Sequence, residues 1–269
     1  AAYTFTSSAV GSFTVHATLR KENYRDITFA IAVSVEKGNM MPASADLETQ
    51  VVNYLSGPTE VVEGTAGTTT GIREGSKALK FEVTSDNHYP DYSLNSEIVR
   101  KLVTVYDAVA VDVYADATYI HKIGNGKSWN DFMVQIQPRE WTTVVYTKDS
   151  ILNYTNSEKP DQYRAIYNDG DNQNETFTFY FDNLRGVINT EDVIVNETKD
   201  FSEKINAIKT TLGADSVTFA IKKDGAPVTE GVNGLAFTTS TAGKYTAVAT
   251  FTRANYNDYT VTIDFEVAK

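Results

Sequence analysis

The sequence predicts an all-β chain. Three observations carry the prediction. Apolar and polar residues alternate with period two along most of the length, helical periodicity is scarce between positions 40 and 190, and the strand pair at the start is written again at the end. The repeat holds one register throughout: residues 5–37 fall on 237–269 without a gap. Its identities include Phe5/Phe237, Gly11/Gly243, Ala17/Ala249, Asn23/Asn255, Tyr24/Tyr256, Asp26/Asp258, Thr28/Thr260, Ile31/Ile263 and Val35/Val267. Ungapped self-similarity of this kind marks a duplicated structural unit.

The first element, residues 1–38, reads as one β-hairpin. Phe13, Val15, Ala17 and Leu19 alternate with polar residues, "KENYRD" interrupts, and Ile27, Phe29, Ile31, Val33 and Val35 resume the alternation. Asn and Asp in the interruption suit a turn, and Gly11 and Gly243 suit a bend before each first strand. Two strands alone are marginal in water. The hairpin therefore needs a neighbour: either it is the end of a preceding domain packed on the middle of the chain, or strands from another chain complete it. Ala1 starts in mid-pattern, which suits a mature or excised fragment of a longer repeating protein.

The last element, residues 191–269, has additional strand signals at 192–197 ("DVIVNE") and 216–225 ("SVTFAIKKDG"), with "KDGAP" as a turn. These proportions fit a small antiparallel sandwich of Ig-like size. "FTTSTAGKYTAVATF" at 237–251 resembles the late strands of bacterial Ig-like repeats. That likeness implies a fold and no particular function. Residues 1–38 are then a partial Ig-like repeat.

The middle element, residues 39–190, has strand candidates at 78–85, 108–115, 131–137, 141–147 and 176–187. About eight strands without helices suggest a jelly roll. Its phrases come in order: "DLET" at 46–49, "GIREGSKALKFEV" at 71–83, "LVTVYDAVAVDVYAD" at 102–116, "REWTTVVYTKDSI" at 139–151 and "FTFYFDNLRGV" at 177–187. The ordered set resembles the jelly-roll carbohydrate-binding modules and their galactose-binding-like relatives, with "LE" where that family commonly has "FE". The resemblance implies a structural calcium ion held by Asp182 and Glu48, with Asp46 as a further ligand, since calcium takes hard oxygen donors. Read without it, Asp182 caps a turn and Glu48 is a solvated charge.

A sugar presents apolar C–H faces ringed by hydroxyls, so its site needs an exposed aromatic plate beside amides, carboxylates or bases. Two loops offer this. Residues 85–93 hold His88, Tyr89 and Tyr92 beside Asp91; residues 119–132 hold Tyr119, His121 and Trp129 beside Asn130. Trp129, in a polar loop with two glycines, reads as the main plate, or else as a cover over a sheet edge. Trp141 begins an apolar strand and reads as core. Tyr154, Tyr163 and Tyr167 read as cover at one end of the sandwich.

Several chemistries are unsupported. The formal charge of −11 gives a phosphate backbone no basic face, so nucleic acid is not the expected partner. With no cysteine there is no disulfide, thiolate metal site or cysteine nucleophile. No apolar run reaches membrane-spanning length. His16, His88 and His121 lack the spacing of a catalytic zinc site, and no G-x-S-x-G elbow occurs. "GTAGTTTG" at 64–71 lacks the lysine of a phosphate loop. The expectation is a non-catalytic binder of polysaccharide or oligosaccharide, extracellular or on a bacterial cell surface, with neighbouring repeats of the same chain as further partners. A structural or adhesin scaffold is the alternative, and a small polysaccharide-active enzyme comes third.

Overall fold

The computed structural model describes residues 4–41, 55–56, 60–83, 91–124, 133–153, 162–167 and 176–269. At the start, β1 (Gly11–Leu19) and β2 (Ile27–Val35) pair antiparallel from Gly11↔Val35 to Leu19↔Ile27. The turn between them needs a left-handed residue, and Asn23 supplies it at φ 63°. The short β3 (Gly38–Asn39) then leaves the hairpin, and Met40 and Met41 become buried.

The middle section contains β4 (Leu55–Ser56), β5 (Glu60–Glu63), β6 (Lys77–Val83), β7 (Asp91–Asn95), α1 (Ser96–Leu102), β8 (Ala108–Asp116), β9 (His121–Gly124), β10 (Met133–Ile136), β11 (Trp141–Thr147), α2 (Lys148–Leu152), β12 (Gln162–Tyr167) and β13 (Phe177–Val187). One sheet runs β11-β8-β13-β6-β5 and another β12-β7-β4, with β9 and β10 as a separate pair. The strand candidates near 78, 108, 141 and 177 land on β6, β8, β11 and β13 within two residues at each end. Alternation decides which face turns inward: Leu79, Phe81 and Val83, Val109, Val111 and Val113, Val144 and Tyr146, and Phe177, Phe179 and Phe181 are all buried. Each such side chain contributes about 1.5–3 kcal/mol over an exposed placement. Two short helices depart from the helix-free expectation. In α1, Glu97 lies in the first turn and Arg100 and Lys101 in the last, matching the helix dipole, while Ile98, Val99 and Leu102 are buried. In α2, the Thr147 hydroxyl accepts the Ser150 N–H at 3.2 Å as a cap.

The final section contains β14 (Val193–Ile194), β15 (Thr198–Asp200), α3 (Ser202–Leu212), β16 (Ser216–Lys223), β17 (Ala226–Val228), β18 (Val232–Asn233), β19 (Ala236–Thr238), β20 (Gly243–Thr252), β21 (Tyr256–Asn257) and β22 (Tyr259–Ala268). A five-stranded sheet, β14-β22-β20-β16-β17, and a three-stranded one, β15-β19-β18, make the layers. Helix α3 lies outside the strand reading of this section. It buries Ile205, Ile208 and Leu212, which continue the spacing of the buried N-cap Phe201, and stops at Gly213, whose φ of 60° is left-handed.

The sections touch through specific contacts. The Tyr106 and Tyr259 hydroxyls share a hydrogen bond at 2.9 Å, and Lys204 meets Asp107 at 2.6 Å. β3 pairs with β21 in parallel, and the Asn257 amide donates to the Asn39 side-chain oxygen.

Candidate functional site

Because the inner face of the middle five-stranded sheet takes alternate residues, the residues between them share the outer face. In β8 these include Asp112, Tyr114 and Asp116; in β13, Thr178, Tyr180 and Asp182; in β11, Trp141 and Thr143. Strand register decides who meets whom. Trp141 lies opposite Tyr114, Tyr114 opposite Tyr180, Tyr180 opposite Lys80, and Lys80 opposite Glu60. The result is one row of side chains crossing the whole sheet, with three half-buried aromatics at its centre. Tyr114 is 5.4 Å from Trp141 and 6.0 Å from Tyr180, centroid to centroid.

Polar groups flank the row on both sides. On one side Asp112 and Asp182 face each other across β8 and β13. Asp112 is almost fully buried and accepts the Thr143 hydroxyl at 2.6 Å and the Asn183 amide at 3.1 Å. It also pairs with Arg73 at 2.9 Å and Arg185 at 3.2 Å. A bulge between Asp182 and Arg185, with Asn183 at φ 50°, turns these neighbours onto one carboxylate. On the other side Asp116 pairs with Arg139 at 3.2 Å, and at the end of the row Glu60 pairs with Lys80 at 3.4 Å. Arg73 and Arg185 therefore share the Asp112 carboxylate, while Arg139 and Lys80 each meet one of their own.

The loop before β6 covers part of this face. Asp182 holds it by accepting the backbone N–H groups of Arg73 at 2.8 Å and Glu74 at 3.1 Å, besides that of Asn183 at 2.6 Å. Gly71 lies directly on the Tyr180 ring: a Cβ there would come within 2.0 Å of it. Arg73 is thereby set 5.7 Å from the Trp141 ring centroid, a cation–π contact. The Tyr114 hydroxyl titrates above its ordinary range, chiefly through burial and then the Asp116 charge, with Arg139 opposing. Tyr180 is raised by burial, with Lys80 opposing. Both stay neutral at physiological pH, able to donate and to accept.

The sequence-derived candidates fall elsewhere. His88, Tyr89, Trp129 and Asn130 lie outside the described residues, as do the calcium candidates Glu48 and Asp46. The backbones of Asp91 and Tyr92 lie on β7, in a different sheet from the aromatic row. Tyr119 is exposed in the turn after β8. His121 is corrected from ligand contact to core: its ring is buried and stacked on Phe177 at 3.7 Å, so a glycan has no access to it. Trp141 is corrected in the other direction, from core to the outer face, because its register partner there is Tyr114. Parity along "VDVYAD" and "TFYFD" puts Asp112, Tyr114 and Asp116, and likewise Thr178, Tyr180 and Asp182, on one face of each strand. Their alignment into one row needed the pairing register.

Among the described residues no three His, Cys, Asp or Glu side chains form a metal-binding group. The Asp182 carboxylate takes N–H donors and the facing Asp112 takes guanidinium groups. These contacts are those of a carboxylate that caps a turn, and the other two calcium candidates lie outside the described residues.

No family model matches the chain, and no curated protein matches it. Among solved structures it is similar to a β-1,2-glucanase from Parabacteroides distasonis at 13% identity, over 87% of this chain and 38% of that one, with a TM-score of 0.27. A family 11 carbohydrate-binding module of the cellulosomal cellulase Lic26A-Cel5E of Clostridium thermocellum is 17% identical over 58% of this chain and 99% of its own, with a TM-score of 0.29. A structure of carbohydrate-binding modules from the β-sandwich superfamily is 13% identical over 67% and 75%, with a TM-score of 0.28. The chain thus spans well under half of the glucanase.

Proposed function

We propose that the chain is a non-catalytic glycan-binding segment of a secreted or surface-exposed bacterial multidomain protein, with Ig-like flanking sections as spacers. The observation that carries this reading is the aromatic row Trp141–Tyr114–Tyr180 lying across an outer sheet face between two polar borders. With Gly71 packed on Tyr180, the exposed parts of Trp141 and Tyr114 offer the plates for sugar C–H faces, and the borders offer carboxylate, amide and guanidinium groups for hydroxyls. Because the cations of the face are each paired with a carboxylate, the preferred ligand is a neutral polysaccharide rather than an acidic one. Asp112 and Asp182, the facing carboxylates, are occupied by hydrogen-bond donors, which favours binding over hydrolysis or elimination. A single open face gives modest affinity, ~10 µM to 1 mM, which repetition raises through avidity.

Affinity electrophoresis in gels containing neutral and acidic polysaccharides tests this. Retardation by a neutral glycan, lost in Trp141→Ala with an unchanged circular-dichroism spectrum, supports the face. Retention of full binding by Trp141→Ala and loss in Trp129→Ala would move the site to the 119–132 loop. No retardation in any gel sinks the glycan reading and favours a scaffold, for which the apolar surface of the β1–β2 hairpin speaks independently.

A further inference from the structure

The two copies of the repeat have the same local structure and opposite surroundings. Gly11 and Gly243 both have φ 145°, and Asn23 and Asn255 have φ 63° and 64°. Both hairpins pair in the same register, Gly11↔Val35 and Gly243↔Val267. The Thr18–Thr28 hydroxyl bond of 3.0 Å recurs as Thr250–Thr260 at 3.1 Å. The cation over the turn tyrosine recurs too: Lys21 on Tyr24 at 4.6 Å, Arg253 on Tyr256 at 4.3 Å. Even the leading aromatic contact is kept, Phe5–Phe13 at 5.5 Å and Phe237–Tyr245 at 5.1 Å.

Burial separates them. Leu19, Phe29 and Ile31 are 61%, 42% and 47% exposed, whereas their counterparts Phe251, Val261 and Ile263 are 0%, 1% and 2% exposed. In the C-terminal copy the cover comes from residues 192–236. Helix α3 packs as part of the same apolar cluster, with Phe201 5.3 Å from Phe265, and β16 pairs along its whole length with β20 from Ser216↔Thr252 to Lys223↔Tyr245. In the N-terminal copy β1 and β2 form a two-stranded sheet, so among the described residues the β1 edge equivalent to the one β16 occupies has no partner strand. An apolar sheet face beside an open edge is an association site.

We propose that the β1–β2 hairpin is an acceptor for one kind of partner: a helix–strand segment with the pattern of residues 192–236. Its strand adds to the β1 edge in the β16 register, and its helix lays an apolar stripe like Phe201, Ile205, Ile208 and Leu212 over Phe29, Ile31 and Leu19. A second copy of this chain cannot supply that segment while keeping its own sandwich, because its residues 192–236 already cover β20 and β22. Occupancy gives the hairpin the cover that residues 192–236 give β20 and β22.

The test is a chimera in which a duplicate of residues 192–236 is joined directly ahead of residue 5 of the chain, reproducing the joint before Phe237. Hydrogen exchange is followed at β1 and β2 by mass spectrometry, with binding of a hydrophobic dye as a second readout. The expected result is protection of β1 and β2 rising by about tenfold or more toward that of β20 and β22, with dye binding reduced. Ile31→Asp should cancel both changes in the chimera and leave the β1 and β2 protection of the unextended chain as it was. A graft that stays unprotected, with β1 and β2 exchanging as before, overturns the proposal. So does self-association of the unextended chain that Ile31→Asp abolishes, since the occupant would then be a second copy.

Discussion

Removing the Asp182 carboxylate separates two accounts of what holds the loop over the aromatic row. In the structure its oxygens accept the N–H groups of Arg73 and Glu74, and that anchoring sets Arg73 beside Trp141. A hydrogen bond to a charged acceptor contributes about 1.5–3 kcal/mol, so Asp182→Ala, losing two from the loop, should cost about 3 kcal/mol or somewhat more. For a section of this size 1 kcal/mol moves Tm by roughly 2–4 °C, so the expected loss is about 6–12 °C. Asp182→Asn keeps one oxygen for the two loop amides but turns an amide donor toward the Asn183 N–H, and should cost about half as much. The assay is thermal unfolding of wild type and both variants, with and without chelator. If hydrogen bonds hold the loop, chelator leaves wild-type Tm unchanged and Asp182→Asn is the milder variant. A wild-type loss with chelator as large as that of Asp182→Ala would refute this account and show a cation completed by Glu48 and Asp46.

Gly71→Ala should be among the most damaging small substitutions. It adds a left-handed strain of about 1–2 kcal/mol at φ 83° to an overpacking cost of about 1–3 kcal/mol against Tyr180; urea denaturation reads the sum, and a loss under ~1 kcal/mol would mean the loop moves aside freely. The Tyr106–Tyr259 contact should fail in alkali. Burial raises both hydroxyls, and for Tyr259 the neighbouring Tyr106 adds to the rise, so the contribution is complete below the unfolded value near pH 10. Above it the unfolded chain loses protons first, and stability falls by up to about 1.4 kcal/mol per pH unit per group until the folded groups titrate. Tyr259→Phe should flatten that fall, and identical urea midpoints for wild type and variant at about pH 9 and about pH 11 would exclude the linkage. Equivalent positions of the repeat should respond unequally: Phe251→Ala should cost about 3–5 kcal/mol and Leu19→Ala less than ~0.5 kcal/mol, measured by urea denaturation.

Features that depend on local order along the chain were legible in the residues alone. The runs "FTFYFD" and "AVAVDVY" placed β13 and β8 as strands, and the fold showed which alternate residues turn inward, since side chains of a strand must point to opposite faces. The repeat placed both hairpins, because the same turn residues in the same positions select the same backbone, down to the left-handed Asn23 and Asn255. Helix α3 was harder to read: its apolar stripe is three residues behind the N-cap Phe201, in a short segment whose polar content suits a loop as well, and it is burial in the apolar cluster that favours the helix.

Features that depend on distant segments meeting needed the folded molecule. Trp141, Tyr114 and Tyr180 are far apart in sequence, and a shift of one residue in either strand pairing would send an aromatic to the other face. His121 reads as an exposed ring by its polar neighbours, yet the path of β9 seats it on Phe177. Hairpins of the same register at the two ends differ in burial because one has residues 192–236 over its apolar face and the other, among the described residues, does not. A strand pattern says which face is apolar; whether that face is covered depends on which other segment arrives there, and nothing local to the strand encodes that.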